Sequence, residues 1–359
     1  MDQAGPKRAL ARGGQAPLVS VVIPAFNAER TIRATLQSVL NQDYLAFEVV
    51  VIDDGSSDST AAVVEAIAAQ DDRVRLIRTA NHGQAAARNR GIAATAGEFI
   101  APLDHDDLWE VSKLSLQVEA ALAAPQPPGF VYTFLTRIAE TGSVIPSPEA
   151  AHCSGTAFHR LYYWNFISTS GAVLFSREAL MEAGGYQALG NSDDALLQLR
   201  IARRRPIACV PQRLVRYRLH AAALTQQGDA FAKWMRARDA FEREWPDLPR
   251  FLINWTRGKR WLAEAERLAI NGRMGEALAH FLTALRLDPW RTMNVAFYRA
   301  FEFLKKRCAR ILFRSGGPGP ATPAGSRGTR LERWLLRLEH RRMERLAMLD
   351  RSLAESQDR

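Results

Sequence analysis

The sequence has few cysteines, no long apolar run and no apolar segment near its N-terminus. Its three cysteines, Cys153, Cys209 and Cys308, are isolated, which argues against a disulfide framework and against a thiolate metal site. No stretch approaches the ~18 uninterrupted apolar residues of a membrane-spanning helix. Residues 1–15 are cationic but lack the apolar core of a signal peptide. These absences predict a protein of the cytoplasm.

Size and charge limit the classes of protein further. A chain of 359 residues suggests about two domains at ~150 residues each, and 47% hydrophobic residues can form a sizeable core. The net charge of +10 is uneven, because residues 291–359 hold 16 Lys and Arg against 7 Asp and Glu, a net charge of +9. The nearly neutral remainder argues against a basic groove for nucleic acid. We therefore expect no nucleic-acid partner. We also expect the basic C-terminal segment to bind an acidic partner.

The first part of the chain alternates between apolar segments of strand length and helical patterns. Strands are predicted at 18–23, 47–52, 74–77 and 98–103, and helices at 29–40, 60–69 and 85–94. Apolar strands separated by helices indicate a parallel sheet that is covered on both faces. Further strands are predicted at 130–135, 171–175, 207–210 and 215–219, and further helices at 177–183 and 194–203.

Beyond residue 225 the pattern becomes helical. Residues 261–289 resemble one tetratricopeptide-type helix pair, with small residues where two helices approach closely. We predict a flexible basic N-terminus (1–16), an α/β domain (17–225), a helical extension that contains this pair (226–314), a Pro/Gly-rich linker (315–329) and a basic C-terminal helix (330–359).

Clustered aspartates are the strongest functional signal in the sequence. They stand at Asp53–Asp54, Asp104–Asp107 and Asp193–Asp194. Each could be a helix N-cap, with Asp107 capping a helix from about Leu108. A cap needs one oxygen, however, and does not explain three carboxylates in four residues. Their repulsion requires a positive charge, most simply a divalent cation, which takes oxygen ligands. The clusters therefore favour a metal–phosphate site at the ends of the strands.

Several motifs, taken in order, resemble those of family 2 glycosyltransferases. They are Val19–Asn27, Val51–Ser56, Asn81–Gly83 with Ala87–Gly91, Leu103–Trp109, Gly184–Tyr186 with Asp193–Asp194, and Tyr217–His220. The fourth looks like the family's Asp-x-Asp metal motif. Order and spacing agree across about residues 18–225. The resemblance implies a GT-A fold, in which a mainly parallel sheet flanked by helices joins a nucleotide-binding half to an acceptor-binding half.

The resemblance also implies an activity. This is inverting transfer of a sugar from a nucleotide diphosphate sugar, with a UDP-sugar favoured, to an acceptor hydroxyl. By analogy with the family, the acceptor is a sugar, a glycolipid or a lipid-linked glycan of envelope polysaccharide or lipopolysaccharide assembly. The segment after Tyr217–His220 has no Gln-x-x-Arg-Trp motif, which argues against a processive synthase.

Roles for individual residues follow from the matched motifs and from their chemistry. Asp194 is the candidate base, with Asp193 beside it, and repulsion between the two could raise one pKa. The candidate ligands of Mn²⁺ or Mg²⁺ are Asp104, Asp106 and His220. The candidate nucleotide-sugar ligands are Pro24, Ala25, Asn27, Asp53, Asp54, Arg88, Asp104 and His220. Arg88 could bind phosphate or base through its planar fork, or could simply snorkel from an amphipathic helix.

Two alternative functions stay open. A nucleotidyltransferase would need a glycine-rich basic loop after the first strand, but residues 24–30 contain no glycine and include Glu29. An inactive adaptor could act through the helical tail, although Asp104, Asp106 and Asp194 are intact. Asp193 replaces the family's usual Glu, and Leu196 stands where many relatives carry Asp, so the acceptor stays undetermined.

The basic tail allows two interpretations. Residues 297–314 mix Phe, Leu and Ile with Arg and Lys, a composition that suits a helix at an anionic membrane surface. The same composition suits an amphipathic helix packed on protein. The charge of the tail favours the membrane, which would place the protein at the inner face of the cytoplasmic membrane.

Overall fold

The computed structural model describes residues 16–147, 152–167, 169–188, 193–219, 230–296 and 330–357. The chain divides into two compact units. We call the first, which comprises Met1–Leu161, Asn165–Glu244 and Leu353–Arg359, the α/β unit. The second, the helical unit, comprises Tyr162–Trp164 and Trp245–Ser352. No helix in the described ranges is long and apolar enough to cross a membrane.

The α/β unit begins with four parallel strands. They are β1 (Val19–Ala25), β2 (Phe47–Asp53), β3 (Val74–Arg78) and β4 (Phe99–Pro102), in the spatial order β3-β2-β1-β4. The connecting helices are α1 (Ile32–Leu40), α2 (Thr60–Ala68) and α3 (Gln84–Ala93). Every residue of β1 is buried, as expected for a central strand with both faces covered. This part of the fold confirms the sequence-based prediction within a few residues.

The sheet continues with strands of mixed direction. They are β5 (Leu108–Trp109), β6 (Phe130–Ala139), β7 (Val144–Ile145), β8 (Val173–Ser176) and β9 (Ile207–Leu219), and the order continues β4-β8-β6-β9-β5 with β7 on β6. β8 is antiparallel to β4 and β6, whereas β6 and β9 are parallel. The helices are α4 (Lys113–Ala123), α5 (Phe158–Tyr163), α6 (Arg177–Glu182), α7 (Asp193–Arg204) and α8 (Ala230–Glu244).

Two predictions in this region were wrong. Asp107 does not cap a helix from Leu108, because Leu108 and Trp109 form β5, which pairs with β9 through Arg216 and Val215, and α4 begins only at Lys113. Segments 207–210 and 215–219 form one strand instead of two. Its pairing with β6 shifts register near Thr133–Leu135, beside Pro211, which cannot donate a ladder hydrogen bond.

The helical unit contains the predicted helix pair. α9 (Arg250–Ile270) and α10 (Met274–Leu287) pack together and are joined by a turn in which Gly272 has φ 77°. Gly258 of α9 lies where an added Cβ would be 2.9 Å from Asp288 Cβ, so a small residue is required there. Helix α11 covers the described residues 289–296, and α12 (Arg330–Gln357) lies where the basic C-terminal helix was predicted.

Candidate active site

The candidate residues lie at one edge of the parallel strands. Ala25 at the end of β1 pairs in register with Asp53 at the end of β2, and Asp53 pairs with Arg78 of β3. The Leu103 amide, just past β4, donates to the Val22 carbonyl at 3.0 Å. The loop of Asp104–Asp107 therefore starts at the same carboxyl edge as Asp53, which is where open α/β sheets bind ligands.

The loop after β1 is fixed by Asn27. Its φ of 49° lies in the left-handed region, which Asn tolerates better than most residues. Its amide donates to Ser56 Oγ at 2.9 Å, and its Oδ1 accepts from the Ser57 amide at 2.9 Å. Pro24 and Ala25, two further candidate nucleotide-sugar ligands, are buried at the end of β1, so Asn27 is the one of the three that lies in the loop. Phe26, which the sequence analysis passed over, is 46% exposed at this edge.

The neighbouring carboxylates Asp53 and Asp54 have different partners. Asp54 accepts from the amides of His82 and Gly83 at 2.9 and 2.8 Å, and so holds the loop before α3. Asp53 accepts through Oδ1 from the Ser56 amide at 3.0 Å. Its buried Oδ2 makes no hydrogen bond in the described structure, and Arg78 Nε is 3.3 Å away. Asp53 Oδ2 therefore has an ion pair but no hydrogen-bond donor, so it can still accept a hydrogen bond from a ligand, whereas both oxygens of Asp54 hold the loop.

Replacing Asp54 with alanine should destabilise the α/β unit. The change leaves the amides of His82 and Gly83 without their acceptor, for which we expect about 1–3 kcal/mol of lost unfolding free energy. Urea denaturation of Asp54→Ala and wild type measures it. The matched control is Asp72→Ala, an exposed aspartate, which should stay within about 0.5 kcal/mol of wild type. Equal denaturation midpoints for Asp54→Ala and the control would contradict the loop-holding role.

The carboxylates of the Asp104–Asp107 loop differ in burial. Asp107 is fully buried and accepts from the Arg218 amide at 3.0 Å and from Thr169 Oγ1 at 3.4 Å. Burial, followed by the charges of Asp104 and Asp106, raises the pKa of Asp107 well above its usual range. Asp104 and Asp106 are partly exposed. Asp107 thus anchors the loop, and the side chains of Asp104 and Asp106 lie closer to its surface.

His105, within the same loop, makes its contacts with α1. Its Nδ1 lies 3.4 Å from Thr31 Oγ1, and its carbonyl accepts from Thr35 Oγ1 at 2.8 Å. The loop is therefore tied to the start of α1, which fixes the direction in which its acidic side chains project.

Arg88 is the centre of the site. Its side chain is 2% exposed, and Nη1 donates to Asp194 Oδ1 while Nη2 donates to Asp104 Oδ1, both at 2.7 Å. Burial alone would lower the pKa of Arg88, but the charges of Asp194 and Asp104 outweigh it and raise the pKa. Arg88 is therefore not a snorkelling surface residue, and its guanidinium is paired with two carboxylates instead of being open to a phosphate. Its guanidinium also supplies positive charge that the sequence analysis had assigned to a metal.

Asp194 has the environment of a carboxyl that can take up a proton. It lies in the first turn of α7, and its side chain is 33% exposed. Burial raises the pKa of the Asp194 carboxyl, Arg88 opposes this, and the charge of Asp104 adds to it, with a net rise above 3.8. The repulsion that raises this pKa therefore comes from Asp104, whereas the sequence analysis had expected it from Asp193.

A supporting set of residues fixes Arg88. Asn89 accepts from the Tyr186 amide at 2.9 Å and donates to its carbonyl at 2.7 Å. The Tyr186 ring centroid is 5.0 Å from the Arg88 guanidinium, and its hydroxyl lies 3.1 Å from Ser170 Oγ. Gln84 donates to Asp104 Oδ1 at 3.0 Å. Sequence reasoning gave none of these side chains a role, although Asn89 and Tyr186 lie in matched motifs.

The donor set is compatible with a divalent cation but incomplete. Asp104 and Asp106 offer oxygen ligands of the kind that Mg²⁺ and Mn²⁺ prefer, and these ions usually share their remaining positions with water and substrate phosphates. No group of three or more His, Cys, Asp or Glu that could hold a metal occurs among the residues that the structure describes. His220, the third predicted ligand, lies outside the described residues.

Comparisons with known proteins identify a family for part of the chain. The sequence profile of Glycosyl transferase family 2 matches residues 20–184. The UDP-Glc:alpha-D-GlcNAc-diphosphoundecaprenol beta-1,3-glucosyltransferase WfgD of Escherichia coli is 42% identical over 106 residues, which are 29% of this chain and 41% of WfgD. The putative teichuronic acid biosynthesis glycosyltransferase TuaG of Bacillus subtilis is 34% identical over 139 residues, 37% of this chain and 54% of TuaG.

A solved structure shows the same fold. The structure of S. aureus TarS 1-349 in complex with UDP-GlcNAc is similar with a TM-score of 0.58 and 18% identity, over 84% of this chain and 93% of that chain. By contrast, this chain spans only 20%, 41% and 34% of the first three curated relatives that it matches. Residues 20–184 are therefore a glycosyl transferase family 2 domain, in a chain with the GT-A type of fold.

Proposed function

We propose that the protein is an inverting glycosyltransferase that moves a sugar from a nucleotide diphosphate sugar to an acceptor hydroxyl. One observation carries the proposal. Arg88 joins Asp104 of the Asp-x-Asp loop to Asp194 of α7, with both contacts at 2.7 Å. A donor-side carboxylate and a candidate base are thereby held at a fixed spacing, as a single in-line displacement requires.

A uridine nucleotide is the donor that we favour. TarS has been solved with UDP and with UDP-GlcNAc, and the name of WfgD specifies UDP-Glc. In this chain Asp53 Oδ2, which is ion-paired with Arg78 but accepts no hydrogen bond, can accept from a base N–H, and the exposed ring of Phe26 can cover a base. These two groups lie at the carboxyl edge of β1 and β2, a short distance along the sheet from the Asp104–Asp107 loop.

The chemical step that we propose needs one base. Asp194 takes the proton of the acceptor hydroxyl while the acceptor oxygen bonds to the anomeric carbon from the face opposite the diphosphate. The bond to the diphosphate oxygen breaks, and its electron pair leaves with the nucleoside diphosphate. The raised pKa of Asp194 makes it a stronger base than an ordinary aspartate. Arg88 holds its carboxylate in place and stabilises its charged form before the proton is taken.

Asp104 and Asp106 are the residues that would hold Mn²⁺ or Mg²⁺. Such an ion, when bound, neutralises charge on the departing diphosphate. Changing Asp106 to Asn should therefore lower the release of UDP from UDP-GlcNAc or UDP-Glc by at least about 100-fold, since a charged ligand is lost, with little change in fold. A coupled UDP-release assay with Mn²⁺, with circular dichroism as the control, measures it. Full turnover by Asp106→Asn, or by wild type in excess EDTA, would contradict metal assistance.

We place the reaction in cell envelope polysaccharide or glycolipid assembly. WfgD is named for a diphosphoundecaprenol-linked acceptor and TuaG for teichuronic acid, which supports a glycan or lipid-linked acceptor here. Association with the inner face of an anionic membrane stays a prediction, because residues 297–314, on which it depends, lie outside the described residues. An inactive adaptor is disfavoured by the intact Asp104–Arg88–Asp194 arrangement.

A further inference from the structure

The helical unit contains a cavity of about 300 Å³. Trp255 of α9, Leu287 at the end of α10 and Leu338 of α12 form apolar parts of its wall. Three arginines of α12, Arg341, Arg342 and Arg345, line it as well. Its volume is at the lower end of the range of about 300–1,000 Å³ for small-molecule sites. Apolar walls combined with several guanidinium groups suit a ligand that is partly apolar and partly anionic.

The one carboxylate in the wall is already neutralised. Asp288 accepts from both terminal nitrogens of Arg342 at 2.7 Å, in a pair that is almost completely buried. Arg342 also donates to the Tyr163 hydroxyl at 3.2 Å. Removing either partner would leave an uncompensated buried charge, so we expect this ion pair to stay intact when a ligand binds. It neither repels an anion nor binds one strongly.

Near the Asp288–Arg342 pair, basic side chains outnumber carboxylates. Arg291 pairs with Glu339, and Lys259 lies 5.1 Å from the Tyr163 ring centroid. Burial, together with the charges of Arg291 and Arg342, lowers the pKa of Lys259 to about 8. Burial is the larger cause of this shift, and the charges of the two arginines add to it by making the local potential more positive. An anion near this cluster would be stabilised by it.

Two of the arginines are exposed and have no acidic partner among the described residues. Arg345 stacks on Phe251, with its guanidinium 3.9 Å from the ring centroid, and Arg341 makes no ion pair with a carboxylate of the described residues. Glu344, the acidic residue between them, lies 3.3 Å from His340 instead. A stacked guanidinium is held in orientation while its N–H edge stays available for an oxyanion.

We propose that this cavity binds the phosphate or diphosphate group of an amphiphilic ester. The anion pairs with Arg341 and Arg345, and the apolar chain lies against Trp255 and Leu338. The two free guanidinium groups and the positive interior favour an anion of more than one charge over a carboxylate. Trp290, which also lines the cavity and is 72% exposed, extends the apolar wall outward. The inference concerns the helical unit and is independent of the proposed transfer reaction.

Calorimetric titration of the full chain with farnesyl diphosphate tests the proposal. Excess UDP is present throughout to occupy the nucleotide site. We expect farnesyl diphosphate to bind at least tenfold more tightly than inorganic diphosphate or farnesol, because each probe lacks one half of the ligand. The double variant Arg341→Gln/Arg345→Gln should weaken binding at least tenfold. Both positions are exposed, so the fold should persist, and Arg351→Gln, an exposed change on the same helix, should bind like wild type.

Two results would contradict the proposal that this cavity is a binding site. One is no binding of farnesyl diphosphate by wild type, and the other is equal binding by wild type and the double variant. Equal affinity for inorganic and farnesyl diphosphate would refute the apolar part of the proposal. Competition by phosphatidylglycerol vesicles, but not by phosphatidylcholine vesicles, supports the site with a membrane headgroup as the phosphate source. Binding without competition by either vesicle supports it with a free lipid phosphate as the source.

Discussion

Replacing Arg88 with methionine should cost the protein most of its activity and about 3 kcal/mol of unfolding free energy, the low end for breaking a buried pair because both carboxylates keep some exposure. Methionine fills a similar volume but leaves Asp104 and Asp194 facing each other without a cation. Their repulsion would move the Asp-x-Asp loop and α7 apart. It would also raise the pKa of Asp194 further, since the charge of Arg88 lowers that pKa more than the hydrogen bond from Ser170 does.

Urea denaturation and a pH–rate profile measure these two effects. The matched control is Arg90→Met, on the exposed side of the same helix, which should stay within about 0.5 kcal/mol of wild type. The unfolding free energy and activity of Arg88→Lys should lie between those of Arg88→Met and wild type, because an ammonium cannot contact both carboxylates as the planar guanidinium does. If Arg88→Met melts and turns over like wild type, the buried guanidinium is not what organises the site.

Changing Asp194 to asparagine should lower sugar transfer by about 10²–10⁴-fold, the usual contribution of a positioned general base. Asparagine keeps the Oδ1 acceptor for Arg88, so the geometry should survive. Donor affinity should stay within a few-fold of wild type, because the base acts on the acceptor. In wild type the rate should rise with pH through the pKa of Asp194, at a higher pH than for an ordinary aspartate, since only the deprotonated form is a base.

Separate measurements of UDP binding and of transfer distinguish the possible roles. Asp193→Asn provides the comparison within the same helical turn, and it should lose less activity, because Arg88 contacts Asp194. A large loss of UDP affinity in Asp194→Asn would assign this residue to the nucleotide or metal site instead. An unchanged transfer rate would remove it from the mechanism.

The sequence was sufficient to predict the parallel strands and the edge at which the acidic clusters meet. A central strand such as β1 reads as an unbroken apolar run because both of its faces are buried, and Asp53 and Asp104 follow such runs directly. By contrast, β5 is two residues long and exists only through its pairing with Val215 and Arg216 of β9. Local periodicity contains no information about a partner about 100 residues away.

The role of Arg88 was equally hidden in the sequence. An arginine in a helix of alanines is usually solvated, and nothing local indicates that it is buried between carboxylates 16 and 106 residues distant. The motif spacing predicts that Asp104 and Asp194 lie at one site, but it does not indicate that the cation between them is an arginine. Likewise, the sequence does not distinguish Asp54 from Asp53, because the amides of His82 and Gly83 that donate to both oxygens of Asp54 are distant along the chain.

The most direct test of the proposed activity is transfer itself. Purified full-length protein is incubated with Mn²⁺, a panel of nucleotide diphosphate sugars and a synthetic GlcNAc-diphospholipid acceptor, and products are identified by mass spectrometry. We predict that a UDP-sugar yields an acceptor one sugar heavier together with UDP, and that Asp194→Asn yields at most about a hundredth of that product in the same time. UDP binding without transfer from any donor, or equal product from wild type and Asp194→Asn, would contradict a glycosyltransferase with its base at Asp194.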